Sequence, residues 1–222
     1  LRGNTSSWGN TALGWRAGDG FDNGYYNTFL GSETTANANG IFNSTAIGRG
    51  AVVTAASQVR IGNTFVNSIG GYAAWSNISD GRFKKNLKED VAGLQFIMKL
   101  RPVTYNLDVT SLNEKLNQGK SKTLTPTEAR LINEREQFRY SGFVAQEVEK
   151  SAKEIGYDFS GVDAPKNSND VYSLRYSDFV VPLVKAVQEQ QQTIETQNKK
   201  IDQLQQQMEM LMKEVQAMKE KK

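Results

Sequence analysis

The 222 residues include neither histidine nor cysteine. Ser-His-Asp triads, thiolate metal sites and the usual zinc sites are thereby excluded. Covalent or acid–base chemistry falls to Ser, Lys, Asp, Glu or Tyr, and for a serine hydroxyl the plausible base is lysine. A free lysine has a pKa near 10.4, so roughly one in 2,000 is neutral at pH 7. Desolvation or a neighbouring cation must lower that value before lysine can act as a base. Carboxylate chemistry is weaker. Glu147 and Glu149 are two apart on an expected helix and point in different directions. Asp158, Asp163 and Asp170 lie in an expected loop without calcium-loop spacing. No cofactor and no metal site is expected. Trp8, Trp15 and Trp75 with Tyr25 and Tyr26 offer rings for a glycan, though such rings more often pack between structural layers.

The elements that carry these groups divide sharply. Residues 1–78 hold four Arg, no Lys and three acids, whereas residues 79–222 hold 44 charged residues; 13 of the 19 glycines lie in the first part. The sequence begins at Leu1 and reads as a fragment of something longer. Hydrophobic residues are 38% and charged residues 23%, the net charge is +3, and no apolar run suits a membrane span. Nucleic acid is not an expected partner. The first part repeats: Asn10-Thr11-Ala12-Leu13-Gly14, Asn27-Thr28-Phe29-Leu30-Gly31 and Ser44-Thr45-Ala46-Ile47-Gly48 step by 17, and Val59-Arg60-Ile61-Gly62 follows 14 later. One apolar residue before a glycine in each coil predicts a stacked β-solenoid or β-roll with that residue inside. Over about residues 9–71 the repeats resemble the head and stalk repeats of trimeric autotransporter adhesins and similar elements of phage tail fibres. That resemblance implies a homotrimer.

Residues 181–222 predict a coiled coil. One seam position carries Val180, Val187, Ile194, Ile201, Met208 and Val215; the other carries Leu183, Gln190, Gln197, Leu204, Leu211 and Met218. The 3-4 alternation is the coiled-coil signature, β-branched residues at the first position suit dimers or trimers, and the two glutamines would fix register. Pro182 puts the regular start near itself, with Ser177 and Asp178 as caps of an earlier, kinked turn.

Between these lies a compact α+β region, residues 79–180. Strands are expected at 103–107, 138–144 and 171–176, and a helix at 145–155 ended by Gly156. Residues 111–137 read as a helix-forming arm or insertion, with Thr125-Pro126-Thr127-Glu128 as a helix start. Four motifs occur in order: Ser79-Asp80-Gly81-Arg82-Phe83-Lys84, Leu100-Arg101-Pro102-Val103-Thr104-Tyr105-Asn106, Gly142-Phe143-Val144-Ala145-Gln146-Glu147-Val148-Glu149, and Tyr176-Ser177-Asp178-Phe179-Val180-Val181-Pro182-Leu183-Val184-Lys185-Ala186. Together they resemble the C-terminal intramolecular chaperone domain of phage endosialidase tailspikes, the S74 peptidase family, over about residues 79–200.

The resemblance implies a trimeric chaperone that assembles an attached β-structured fibre and then cuts itself off once, as a serine endopeptidase. Its nucleophile falls on Ser79 and its base on Lys84, with Asp80, Gly81 and Arg82 completing the motif; the scissile bond adjoins Ser79, with Ser79–Asp80 the favoured one. Spacing tests the pair. Five residues rotate about 140° on a helix and reach opposite sides of a strand. The dyad therefore needs an irregular turn, which Gly81 would supply, or a Lys84 from a neighbouring chain. The plain alternative for Ser79-Asp80 is an ordinary cap or turn. The expected molecule is a homotrimeric fibre on a virion tail or bacterial surface, registered by this domain and meeting a cell-surface glycan or receptor. Its rival is a fibre tip that keeps the domain and never cleaves. A self-cleaving transcription-factor precursor, as in myelin-type regulators, fits the Gly/Asn-rich repeats poorly.

Overall fold

The computed structural model describes residues 1, 6–117 and 124–220. It divides into two compact units built from interleaved segments. The first comprises Leu1–Phe83, Pro102–Val144 and Asp163–Ser173; the second comprises Lys84–Arg101, Ala145–Val162 and Leu174–Lys222.

In the first unit the repeats wind into a parallel β-solenoid of about three turns. Its strands are β1 (Thr11–Leu13), β2 (Gly24–Tyr25), β3 (Thr28–Leu30), β4 (Thr35–Ala36), β5 (Ile41–Phe42), β6 (Thr45–Ile47), β7 (Val52–Val53) and β8 (Val59–Ile61). β1, β3, β6 and β8 form one face, while β2 pairs with β5 and β4 with β7 on two others. Thr11 lies opposite Thr28, Thr28 opposite Thr45 and Thr45 opposite Val59, which reproduces the repeat spacing, including its shortened last step. The glycine column has a steric cause. Gly14 and Gly31 both take φ +131°, and a Cβ on Gly14 would stand 2.6 Å from the carbonyl carbon of Gly31. The polar residue that opens each repeat forms a ladder along the coils. Asn10 Oδ1 accepts the Asn27 N–H at 2.8 Å, and Asn27 Oδ1 accepts the Ser44 N–H at 3.0 Å. Buried Asn27 also donates to the Ile41 carbonyl, so interior backbone groups are satisfied by side chains.

The inward residue is not the expected one. Phe29 is 1% exposed and Leu30 is 42% exposed. The core is built from Ala12, Phe29 and Ala46 at the strand centres, with Phe21, Ile41 and Val53. In a three-residue strand the two ends share one face and the centre takes the other. Leu13, Leu30 and Ile61 therefore stand outside, exposed. The glycine marks the tight corner, not the neighbour of a core residue.

Beyond the solenoid, the first unit holds a strand pair and two helices. β9 (Val103–Asn106) pairs antiparallel with β10 (Arg139–Gly142), Val103 opposite Gly142. Between them run α2 (Val109–Leu116) and α3 (Pro126–Gln137). Residues 118–123 of the expected arm lie outside the described residues. The helices themselves are not a free arm. Val109, Ile132 and Glu128 are buried; Arg49 donates to Glu128 at 2.9 Å, and Thr64 to Asn113 at 2.7 Å. The polar sequence of this stretch hid its packing because the contacts are largely hydrogen bonds. Thr125 and Glu128 form the expected capping box.

In the second unit, α1 (Leu94–Ile97), α4 (Ala145–Glu154) and α5 (Val180–Glu220) surround an aromatic core. Phe96, fully buried, contacts Tyr157 and Phe159, and Phe159 meets Phe179 edge-on at 4.8 Å. Gly156 closes α4 with φ +67°. The short paired strands β11 (Val162–Asp163) and β12 (Ser173–Leu174) each straddle, in sequence, a boundary of the two units. α5 begins at Val180 after a 3-10 turn at Tyr176–Phe179, so Pro182 sits inside the helix. Its missing N–H falls in the first turn, where no intrahelical acceptor exists.

Candidate functional site

Asp80 nucleates the turn that follows Ser79. Its backbone carbonyl accepts the Phe83 N–H at 3.1 Å, closing a 3-10 turn at Gly81–Phe83. Its carboxylate accepts the Arg82 N–H at 2.9 Å and grips the Arg82 guanidinium through Nε and Nη2, the latter at 2.6 Å. These hydrogen bonds from Arg82 hold the Asp80 carboxyl below its ordinary range, and Asp80 in turn raises Arg82. The irregular turn thus exists, but Gly81 does not cause it. Gly81 is not among the positive-φ glycines, and a Cβ there would meet open space. The left-handed residue is Asn86, φ +55°.

Ser79 and Lys84 flank this turn and both are exposed. Ser79 belongs to the first compact unit and Lys84 to the second. Within the motif, Asp80 and Arg82 are held together by the hydrogen bonds of the turn.

Two other motifs are joined inside the second unit. Arg101 Nε donates to Glu147 Oε2 at 3.1 Å, and its Nη2 binds the other carboxylate oxygen. This fork-to-fork pair spans 46 residues of sequence. Hydrogen bonding to Arg101 lowers the Glu147 carboxyl and raises the Arg101 guanidinium. Glu149 turns instead to Lys153, at 2.6 Å. The partnership of Arg101 and Glu147 was not visible from spacing, because only the fold brings the two motifs together.

The fourth motif leads into α5, whose first turns have two distinct faces. Pro182 and Ala186 are buried, and Glu189 Oε2 accepts the Leu94 N–H at 2.7 Å. A Cβ on Gly93 would lie 2.9 Å from the Ala186 nitrogen and closer still to Glu189. The second face lies roughly 100° round the helix. It carries Leu183, Val187 and Gln190 and continues through Ile194, Gln197, Ile201, Leu204, Met208, Leu211, Val215 and Met218, all exposed.

A third cluster lies in the first unit, where loop residues dock on the solenoid. Buried Asp170 accepts from the Thr54 hydroxyl at 2.5 Å, from the Lys166 and Val171 N–H groups, and from Gln58. Asn167 donates to the Thr54 carbonyl and Asn169 to that of Asn37. Burial alone would raise the Asp170 carboxyl, but these hydrogen bonds outweigh it and hold the group low. The aromatic residues form a column rather than an open platform. Trp8, Tyr25 and Phe42 stack at 5.6 and 5.4 Å along the coils, so each inner ring face is covered by the next ring. Trp15 carries the Arg16 guanidinium at 5.3 Å, and Trp75 is exposed.

Residues 79–157 match the Peptidase_S74 family model, described as chaperone of endosialidase. The match takes in the first three motifs and stops before the fourth. No curated protein and no solved structure matches the chain.

Proposed function

We propose that this chain is a homotrimeric fibre segment whose Peptidase_S74 portion registers three solenoid strands during assembly and then releases them by a single cut beside Ser79. The observation that carries the reading is the uncovered apolar seam of α5, together with the family match over residues 79–157. A 41-residue helix spans roughly 60 Å, and so long a polar helix with one apolar row gains its stability from partner helices. The docked face of α5 holds α1 while the seam stays open, so one helix serves both its own unit and the other chains. The solenoid offers a matching outer row of Leu13, Leu30 and Ile61. Parallel pairing between distant coils is slow to nucleate and its edges aggregate. Joining three chains at α5 raises their effective concentration. The docking of Asp170, Asn167 and Asn169 on the coils, with Arg49 on Glu128, is how the chaperone grips the stalk.

In the cut, Lys84 takes the Ser79 hydroxyl proton and the oxygen attacks the carbonyl carbon of the scissile peptide bond; its C–N bond breaks, the leaving amine takes that proton, and water hydrolyses the acyl ester to a carboxylate and the free serine hydroxyl. The Asp80–Arg82 turn keeps Ser79 out of helix and strand, where a lysine five residues on would point away. Release makes unfolding hard to reverse and converts thermodynamic into kinetic stability. Among the described residues, no helix is long and apolar enough to cross a membrane. A virion tail or a bacterial surface is the setting, with a cell-surface receptor as outside partner.

The test is the intact mass of the whole chain beside Ser79→Ala and Lys84→Ala. Two fragments that meet beside Ser79 in the natural sequence, and one chain of 24.7 kDa in each variant, support the dyad. A single uncut chain in all three, still trimeric by light scattering, makes the domain a retained trimerisation module.

A further inference from the structure

Between the solenoid and Ser79 runs a segment that the reading above does not use. Val66, Ile69, Tyr72, Trp75 and Ile78 recur at every third position, and the pairs between them are Asn67-Ser68, Gly70-Gly71, Ala73-Ala74 and Ser76-Asn77. Every spacer is small or short. No Asp, Glu, Lys or Arg occurs between Arg60 and Asp80. The segment has no helix or strand, and among the described residues no hydrogen bond ties residues 67–78 to the chain. Tyr72, Trp75 and Ile78 are at least 84% exposed. A row of large apolar side chains left in water is an interaction surface.

The period selects the conformation. On a β-strand, positions three apart alternate between faces. On an α-helix each step of three drifts by roughly 60°, which scatters five positions over most of the surface. Polyproline-II geometry has three residues per turn and puts all five in one straight row. It makes no hydrogen bonds of its own, in keeping with a segment that shows none.

We infer that residues 66–78 form a three-chain core with two further copies of this chain, each in an extended three-residue helix with its apolar row on the common axis. The inference rests on the trimeric reading and adds the element that joins stalk to chaperone. The occupant is a second and third copy for three reasons. An uncharged segment meets its own copies without repulsion. The small spacers let three backbones approach. Five such side chains from each of three copies would bury on the order of 1,500 Å², within the range of a stable interface. The row ends at Ile78, next to Ser79, so the bond to be cut is reached only through a segment that assembly orders.

The experiment uses the whole chain with Ser79→Ala to keep it in one piece. Each position from 66 to 78 is changed singly to Cys; the natural sequence has none, so every variant carries one thiol. Mild oxidation then traps pairs of chains whose Cβ atoms approach to disulfide distance. Ile69→Cys, Tyr72→Cys and Trp75→Cys are expected to yield several-fold more joined chains than Gly70→Cys, Ala73→Cys and Ser76→Cys, with a period of three across the scan. A flat profile, or a period of two, in chains whose light-scattering mass remains three times 24.7 kDa overturns the inference and leaves the trimer standing. A mass of 24.7 kDa removes the trimer and the inference with it.

Discussion

The solenoid and α5 are both repetitive and nearly one-dimensional, yet they complete themselves differently. In the solenoid the middle coils bury Phe29 and Ala46 at their strand centres, and Val53 with them, within one chain. Coil-to-coil hydrogen bonds and the Asn10–Asn27–Ser44 ladder satisfy the backbone at the same time. α5 satisfies its backbone alone but leaves its apolar row outside; Pro182 and Ala186 are its buried residues. A repeat that stacks on itself can hold a core in one chain, whereas a single helix must find its core in other chains. On the proposed trimeric reading, the two elements respond to mutation in opposite ways, one through the fold and the other through assembly.

The largest expected effect breaks the solenoid from within. Phe29→Ala removes the aromatic centre of the core and costs about 3–5 kcal/mol, seen as a lower denaturant midpoint. Its neighbour sharpens the contrast: Leu30→Ala leaves the midpoint of the isolated chain within about 1 kcal/mol and weakens only the trimer, measured by dilution in sedimentation equilibrium. Next comes the docked loop. Asp170→Ala takes this acceptor from the Gln58 amide and from the Lys166 and Val171 N–H groups, while the Thr54 hydroxyl keeps Gln58 Oε1 at 3.0 Å; the loss costs about 3 kcal/mol. The folded Asp170 carboxyl is held low, so its stabilisation is complete above the unfolded value of about 3.9 and is lost as pH falls through the lower folded value. Acid titration of stability below about pH 4 is steeper in the natural chain than in Asp170→Asn. In the second unit, Gly93→Ala drives a Cβ into Ala186 and Glu189; it costs about 2 kcal/mol as overpacking and speeds amide exchange in α1 without shortening α5. The smallest effect belongs to Arg101 and Glu147. Their pair is solvent-exposed, and Glu147→Gln leaves the thermal midpoint unchanged at physiological salt.

Much of this organisation was legible in the sequence because it is periodic or local. The step of 17 and then 14 fixed the register of β1, β3, β6 and β8, and Thr125 with Glu128 announced the start of α3. What sequence reasoning missed depends on direction or on distance. Placing Leu30 inside rather than Phe29 was a one-residue error of phase, and on a strand one residue reverses the face. The helices α2 and α3 looked like an arm because their contacts with the solenoid are polar, Glu128 with Arg49 and Asn113 with Thr64, and a hydropathy pattern does not register such contacts. At the candidate site, the turn after Ser79 was foreseen, but its cause is the Asp80 carboxylate rather than Gly81. The link between Arg101 and Glu147 required the fold.

The central claim is that the seam of α5 brings three chains together and so lets each solenoid form before its open edges aggregate. It is tested most directly by refolding the whole chain from denaturant beside a variant carrying Ile194→Asp and Ile201→Asp, both with Ser79→Ala. The account predicts that the parent recovers as a soluble particle of three times 24.7 kDa while the seam variant yields no such particle and loses solenoid to aggregation. Equal recovery of trimer from both would contradict it.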